Sequence, residues 1–132
     1  MRRLVLFVIA SILTGGALAQ SVAIKGYDPV AYFEPGHPTK GSDSISYDFD
    51  GARYLFSSRK NRELFAKDPE RYAPQFSGLC TGNLAEGRRV EADPTAFVVR
   101  DGKLYLFQGQ KGVERVRADP SLFAKAHQNA RK

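Results

Sequence analysis

The sequence predicts an α+β fold: small antiparallel hairpins with short helices, arranged as two related hairpin–helix units on one core. Three observations predict it. Asp50-Gly51 and Asp101-Gly102 each sit between short apolar-aromatic runs, the pattern of a tight hairpin. The flanks of these turns correspond at a constant offset of 51, with Asp50-Gly51-Ala52-Arg53-Tyr54-Leu55-Phe56 lying over Asp101-Gly102-Lys103-Leu104-Tyr105-Leu106-Phe107. Asp-Pro occurs four times, and it suits a helix start because Asp caps and Pro needs no N–H at the first position.

The correspondence continues past the hairpins. Lys60 lies over Lys111, Glu63 over Glu114, Asp68-Pro69 over Asp119-Pro120, Tyr72 over Phe123 and Ala73 over Ala124. Self-similarity at a fixed period marks a repeated supersecondary unit, and two copies are too few for a solenoid. The units span about 46–73 and 97–124 within a single domain at 20–132.

The elements follow in order. Asp28-Pro29 predicts a helical turn to Phe33, and the turn-forming run Glu34–Ser44 predicts an exposed loop. The first hairpin is expected at Ser46–Phe49 and Ala52–Ser57, with Tyr54 and Phe56 on one face and Leu55 on the other. Ser58 then caps a helix from about Arg59 to Lys67, which buries Leu64 and Phe65. Asp68-Pro69 starts a turn to Tyr72, and Asp93-Pro94 a turn to Phe97. The second hairpin is expected at Phe97–Arg100 and Lys103–Phe107. Gly112, Val113 and Val116 weaken the helix after it, so a shorter one is expected there. Asp119-Pro120 opens a last helix to about Gln128. The core list is Val30, Tyr32, Phe33, Tyr47, Phe49, Tyr54, Phe56, Leu64, Phe65, Tyr72, Phe76, Phe97, Val99, Tyr105, Phe107, Leu122 and Phe123.

Residues 1–19 read as a secretory signal peptide. Arg2-Arg3 precedes the apolar run Leu4–Leu13, and a small-x-small cleavage site follows at Ala17-Leu18-Ala19. The run is shorter than the roughly 20 residues a membrane span needs. Cleavage after Ala19 leaves 113 residues at a formal charge of +4, destined for the periplasm or secretion with no stable membrane insertion. The basic residues are scattered in loose groups on solvated faces, so nucleic acid is not expected as a partner.

The sequence carries one cysteine, which excludes an internal disulfide and a zinc site built from several cysteines. Cys80 lies in a glycine-punctuated loop, Ser77-Gly78-Leu79-Cys80-Thr81-Gly82. It reads either as a small buried hydrophobe or as a reactive thiol, a soft-metal ligand or half of an intermolecular disulfide. His37, in an exposed loop, is the other candidate metal ligand, although one His and one Cys are an incomplete set. Without a partner it is a solvated loop histidine. His127 reads as helix-end decoration. Asp28 reads first as a cap and second as a buried functional carboxylate. No phosphate loop, nucleophile elbow or metalloprotease motif is present, so no catalytic constellation is predicted.

Gly26-Tyr27-Asp28-Pro29-Val30-Ala31-Tyr32-Phe33 resembles the opening motif of the exported branch of the YHS-domain family. The resemblance continues through Asp50-Gly51, Tyr54, Phe56-Ser57, Asn61-Arg62 and Phe65, then through Asp68–Gln75 and Phe76-Ser77-Gly78-Leu79-Cys80. It ends with Asp93-Pro94 and Asp101–Leu106, covering about residues 23–108. It implies a metal-associated binding module, with copper or zinc as the candidate ions. In the metal-binding relatives, cysteines follow the hairpin's aromatic pair. Matched residue by residue, Ser57 and Asn61 stand at those two positions here, and neither is a good soft-metal ligand. Leu79 stands where an aromatic is usual, and the matched motifs contain no histidine.

Two expectations follow. One is an exported non-enzymatic binding module for a small ligand, a metal or an exported protein, with Cys80, Tyr27 and Asp28 as the candidate ligand-binding residues. The other is a thiol-dependent redox protein or enzyme using Cys80.

Overall fold

A computed structural model describes residues 20–132, and the signal-type segment 1–19 lies outside the described residues. The architecture is α+β. Strand β1 (Ser21–Val22) pairs in parallel with β3 (Ala52–Phe56), whose other edge pairs antiparallel with β2 (Ser42–Phe49). Helices α1 (Arg59–Lys67) and α2 (Pro69–Tyr72) follow, then a short helix α3 (Thr81–Ala85). A second hairpin, β4 (Asp93–Arg100) and β5 (Lys103–Phe107), leads into α4 (Gln110–Ala118) and α5 (Ser121–Ala130). Among the described residues no helix is long and apolar enough to cross a membrane.

The two hairpins share one register. Ser42 faces Phe56 and Ser46 faces Leu55 across a bulge; Asp93 faces Phe107 and Phe97 faces Leu106 across the same bulge. Both turns have positive φ at both central residues: 50° and 77° at Asp50-Gly51, 52° and 72° at Asp101-Gly102. That combination matches the natural twist of a two-residue hairpin, and glycine adopts it without a Cβ penalty. Each first strand starts four residues earlier than the sequence predicts, because the bulge lets pairing resume beyond the irregularity.

Local signals did not decide every element. The expected helical turn at Pro94–Phe97 is part of β4. Asp93 Oδ1 does accept the Thr95 N–H (2.9 Å) and hydroxyl (2.8 Å), as a cap would. The β5 edge then offers a ladder to the residues beyond. Pro29–Phe33 forms successive turns rather than a helix, and Pro69 and Pro120 each precede or open one. Helix α4 is not shorter than α1: both have nine residues. Gly112 lies against the Phe107 ring, where a Cβ would stand 3.2 Å from Cδ1, and Val113 and Val116 are buried. Packing on that face outweighs a helix-propensity deficit of about 1 kcal/mol for the glycine. The segment after Cys80, read as loop, is α3.

The buried side chains form two clusters. One gathers Tyr54, Phe56, Phe65 and Tyr72 with Val30, the other Leu84, Leu104, Phe107, Val116 and Phe123 with Tyr32. Phe33 packs against both. The Tyr32 hydroxyl crosses to the second unit and donates to the Pro94 carbonyl at 2.6 Å. Leu55 and Leu106, on the faces opposite the aromatic pairs, are buried as well, so the inner strands are covered on both sides. Val99 is a correction to the expected core: it lies on the outer face of an edge strand and is 39% exposed.

Candidate functional site

Each unit is entered through a left-handed turn. Ile24, Lys25 and Gly26 have φ of 44°, 53° and 84°; Phe76, Ser77 and Gly78 have 60°, 55° and 83°. Left-handed geometry costs each non-glycine residue on the order of 1 kcal/mol, so surrounding contacts must hold it. They are matched too. Tyr27 bridges Lys40 and Leu79 bridges Glu91. Next, the Asp28 N–H donates to the Thr39 carbonyl and the Cys80 N–H to the Val90 carbonyl, both at 2.7 Å. Asp28 and Cys80 therefore hold the same place in their units.

Asp28 is completely buried. Its Oδ1 accepts the Val30 N–H at 2.9 Å, and its Oδ2 accepts the Ser57 N–H (2.8 Å), the Ser57 hydroxyl (2.7 Å) and the Asn61 side-chain amide (2.8 Å). Ser57 directly follows β3, and Asn61 is in the first turn of α1, which Ser58 caps by accepting the Asn61 N–H at 3.1 Å. A cavity of about 450 Å³ lies beside this node, lined by Val30, Phe33, Lys60, Asn61, Leu64 and Tyr72 among others. Neither Asp28 nor Ser57 lines it. The donors close over the carboxylate.

Cys80 is 2% exposed, and its Sγ accepts the Gln108 N–H at 3.1 Å and the Asn83 amide at 3.2 Å. Gln108 is the counterpart of Ser57 at the offset of 51, and the counterpart of Asn61 is Gly112. With no side chain there, Cys80 and Gln108 reach a cavity of about 360 Å³, whose wall also includes Asn83, Gly112, Lys111 and Arg115. Arg88 Nε donates to Asn83 Oδ1 at 3.2 Å, which turns the Asn83 amide hydrogens toward Cys80 and Gln108 Oε1. Glu86 binds both Arg88 and Arg115, and Arg88 in the first place holds its carboxyl below the ordinary range.

Tyr27 is half-buried, with Lys40 Nζ 5.5 Å from its ring centre, and it takes no part in the Cys80 cavity. The partners of Cys80 include neither Tyr27 nor Asp28, so the three candidate ligand residues divide between two nodes. His37 is exposed, with its Nδ1 3.2 Å from the Thr39 hydroxyl and no contact to Cys80. Among the described residues, no three His, Cys, Asp or Glu side chains converge as a metal site. The Cys80–His37 metal pair is not assembled. His127 is more than helix-end decoration. Its Nε2 is 2.9 Å from the Tyr105 hydroxyl and its ring meets Phe76 edge-on; burial, then Lys103 and Arg131, lowers its pKa.

The family model described as YHS domain matches residues 30–76. That segment is similar to a YHS domain. The match covers the first hairpin, α1 and α2, and stops at the second left-handed turn, so it is narrower than the motif resemblance. No curated protein matches the chain, and no solved structure does. Ser57 and Asn61, the residues at the cysteine positions of metal-binding YHS relatives, are the ones that close on Asp28. Sequence reasoning named both without linking them to Asp28. It missed Asn83, Gln108 and Gly112. Extending the repeat backward, with one extra residue of offset before the hairpin, would have paired Asp28 with Cys80.

Proposed function

We propose that this chain is an exported, non-enzymatic binding module that holds a small ligand in the Cys80 cavity of its second unit. The observation that carries this reading is the cavity itself. Its roughly 360 Å³ suits a small molecule, and the polar atoms of Cys80, Asn83 and Gln108 converge at its wall beside Lys111 and Arg115. Arg115 is paired with Glu86, and Lys111 favours an anionic or strongly polar ligand. The signal-type pattern of residues 1–19 supports export.

The test is native mass spectrometry of protein purified from the exported fraction of its own cells. The expected spectrum shows a chain starting at Gln20 with a bound mass that Lys111→Glu releases. Adding Cu(I), Cu(II) or Zn(II) to the stripped protein asks whether the ligand is a metal, with Cys80→Ser as the control. A bare chain from every preparation, with no adduct on any addition, overturns the proposal.

A thiol-dependent role is the second reading, favoured by the two N–H groups aimed at Sγ, the arrangement that serves a reacting thiolate. Fast alkylation of the folded protein at neutral pH supports it. Alkylation only on unfolding rejects it.

A further inference from the structure

We infer that in the first unit the Asp28 node has replaced a metal centre with hydrogen bonds: the carboxylate ties the turn at Asp28–Val30 to the start of α1, and it does so without an ion. The family implies a metal near Ser57 and Asn61, and the donor chemistry of these residues disagrees. A cation at that point would need lone pairs turned toward it. Here the Ser57 hydroxyl, the Ser57 N–H and the Asn61 amide all turn hydrogens toward one oxygen, Asp28 Oδ2. The Asn61 orientation is fixed by its partner, since a carboxylate oxygen accepts only from the NH₂ side of the amide. Val30 N–H takes Oδ1. A carboxylate offers about four acceptor sites, and four hydrogen bonds reach this one, three of them at Oδ2.

The node joins positions far apart in sequence. Residues 28 and 30 meet 57 just after β3 and 61 in the first turn of α1, which is the kind of tie a structural metal makes between loop and helix. Two neutral side chains and one carboxylate achieve it, with the carboxylate completely buried behind them. The counterpart in the second unit does not tie the start of α4 in this way: Gly112 has no side chain to reach Cys80, which takes its amide donor from Asn83 of α3 instead.

The experiment measures the thermal midpoint of the processed full chain, after chelator dialysis and after adding Zn(II) or Cu(II). The wild type is expected to melt within about 1 °C under all three conditions. Asp28→Asn puts an amide donor against the existing donors, and a loss of about 10 °C or more is expected. Ser57→Ala removes one of the four hydrogen bonds, and a loss of about 4–8 °C is expected; it serves if Asp28→Asn does not fold. Cys80→Ser separates this node from the ligand cavity: a metal response that this variant abolishes and Ser57→Ala keeps belongs to the cavity, and the inference stands. The inference is overturned by a metal that raises the wild-type midpoint but not that of Ser57→Ala. It is equally overturned if Ser57→Ala melts with the wild type.

Discussion

Asp28 and Cys80 stand at equivalent points of two similar units and both are buried, yet donors close over one while the other borders a cavity. Both follow a left-handed turn, both donate a backbone N–H at 2.7 Å to a returning loop, and both accept from the residue just after the second hairpin strand. The difference lies one helical turn further on. Asn61 reaches back to Asp28, whereas Gly112 leaves the place beside Cys80 empty of side chain. The same backbone plan thus yields a hydrogen-bonded strut in one unit and a cavity wall in the other. Three pairs of residues differ at equivalent points, Asp28 and Cys80, Ser57 and Gln108, Asn61 and Gly112, on one backbone plan.

This contrast can be broken experimentally. The largest effect is expected from Asp28→Ala, which strands four donors and should cost about 3–5 kcal/mol in urea unfolding. Cys80→Ala strands two, and the Asn83 amide keeps Gln108 Oε1, so about 1–2 kcal/mol is expected. Equal losses would erase the distinction between strut and cavity wall.

Gly112→Asn carries the first unit's residue into the second. Its Cβ would meet the Phe107 ring at 3.2 Å, and overpacking of this kind costs about 1–3 kcal/mol. The new amide should also close the cavity and slow alkylation of Cys80. Unchanged alkylation would show that the missing side chain is not what opens the cavity.

Tyr32 links the units through Pro94, and Tyr32→Phe should cost about 1 kcal/mol. Its phenol is raised above the ordinary value of 10.0, first by burial and then by the charges of Tyr27, Asp93 and Asp28. The folded chain therefore keeps a proton that the unfolded chain releases. The contribution is complete below pH 10 and falls as pH rises beyond it. Unfolding midpoints from pH 8 to 11 should decline less steeply in the variant; identical slopes would assign the alkaline loss elsewhere.

The smallest effects concern the helix starts. Ser58 caps α1 through its hydroxyl, whereas Gly109 at the same point of α4 offers no side-chain cap. Ser58→Ala should cost about 1 kcal/mol, and Gly109→Ser should gain a few tenths. A loss on adding serine would mean that the start of α4 is held by other contacts.

Much of the architecture was legible because its signals are local. Asp50-Gly51 and Asp101-Gly102 require positive φ in any context, and Ser58 before an amphipathic run is a cap wherever the run folds. Where a non-local surface competed, local signals lost. Asp93-Pro94 became strand beside β5, and Gly112 stayed helical against Phe107. The candidate site was legible only in part. Cys80 and Asp28 stood out as residue types, but an apparent cap proved to be the acceptor of donors 29 and 33 residues away.

By itself the sequence determined two hairpins, their turns and offset, the α1 cap and the paired aromatic faces, since each follows from a few neighbouring residues. Tertiary structure alone decided that Asp28 is sealed, that Cys80 borders a cavity and that His37 stands apart from it. Burial and hydrogen-bond partnership are properties of surfaces brought together from distant segments, and spacing along the chain does not encode which surfaces meet.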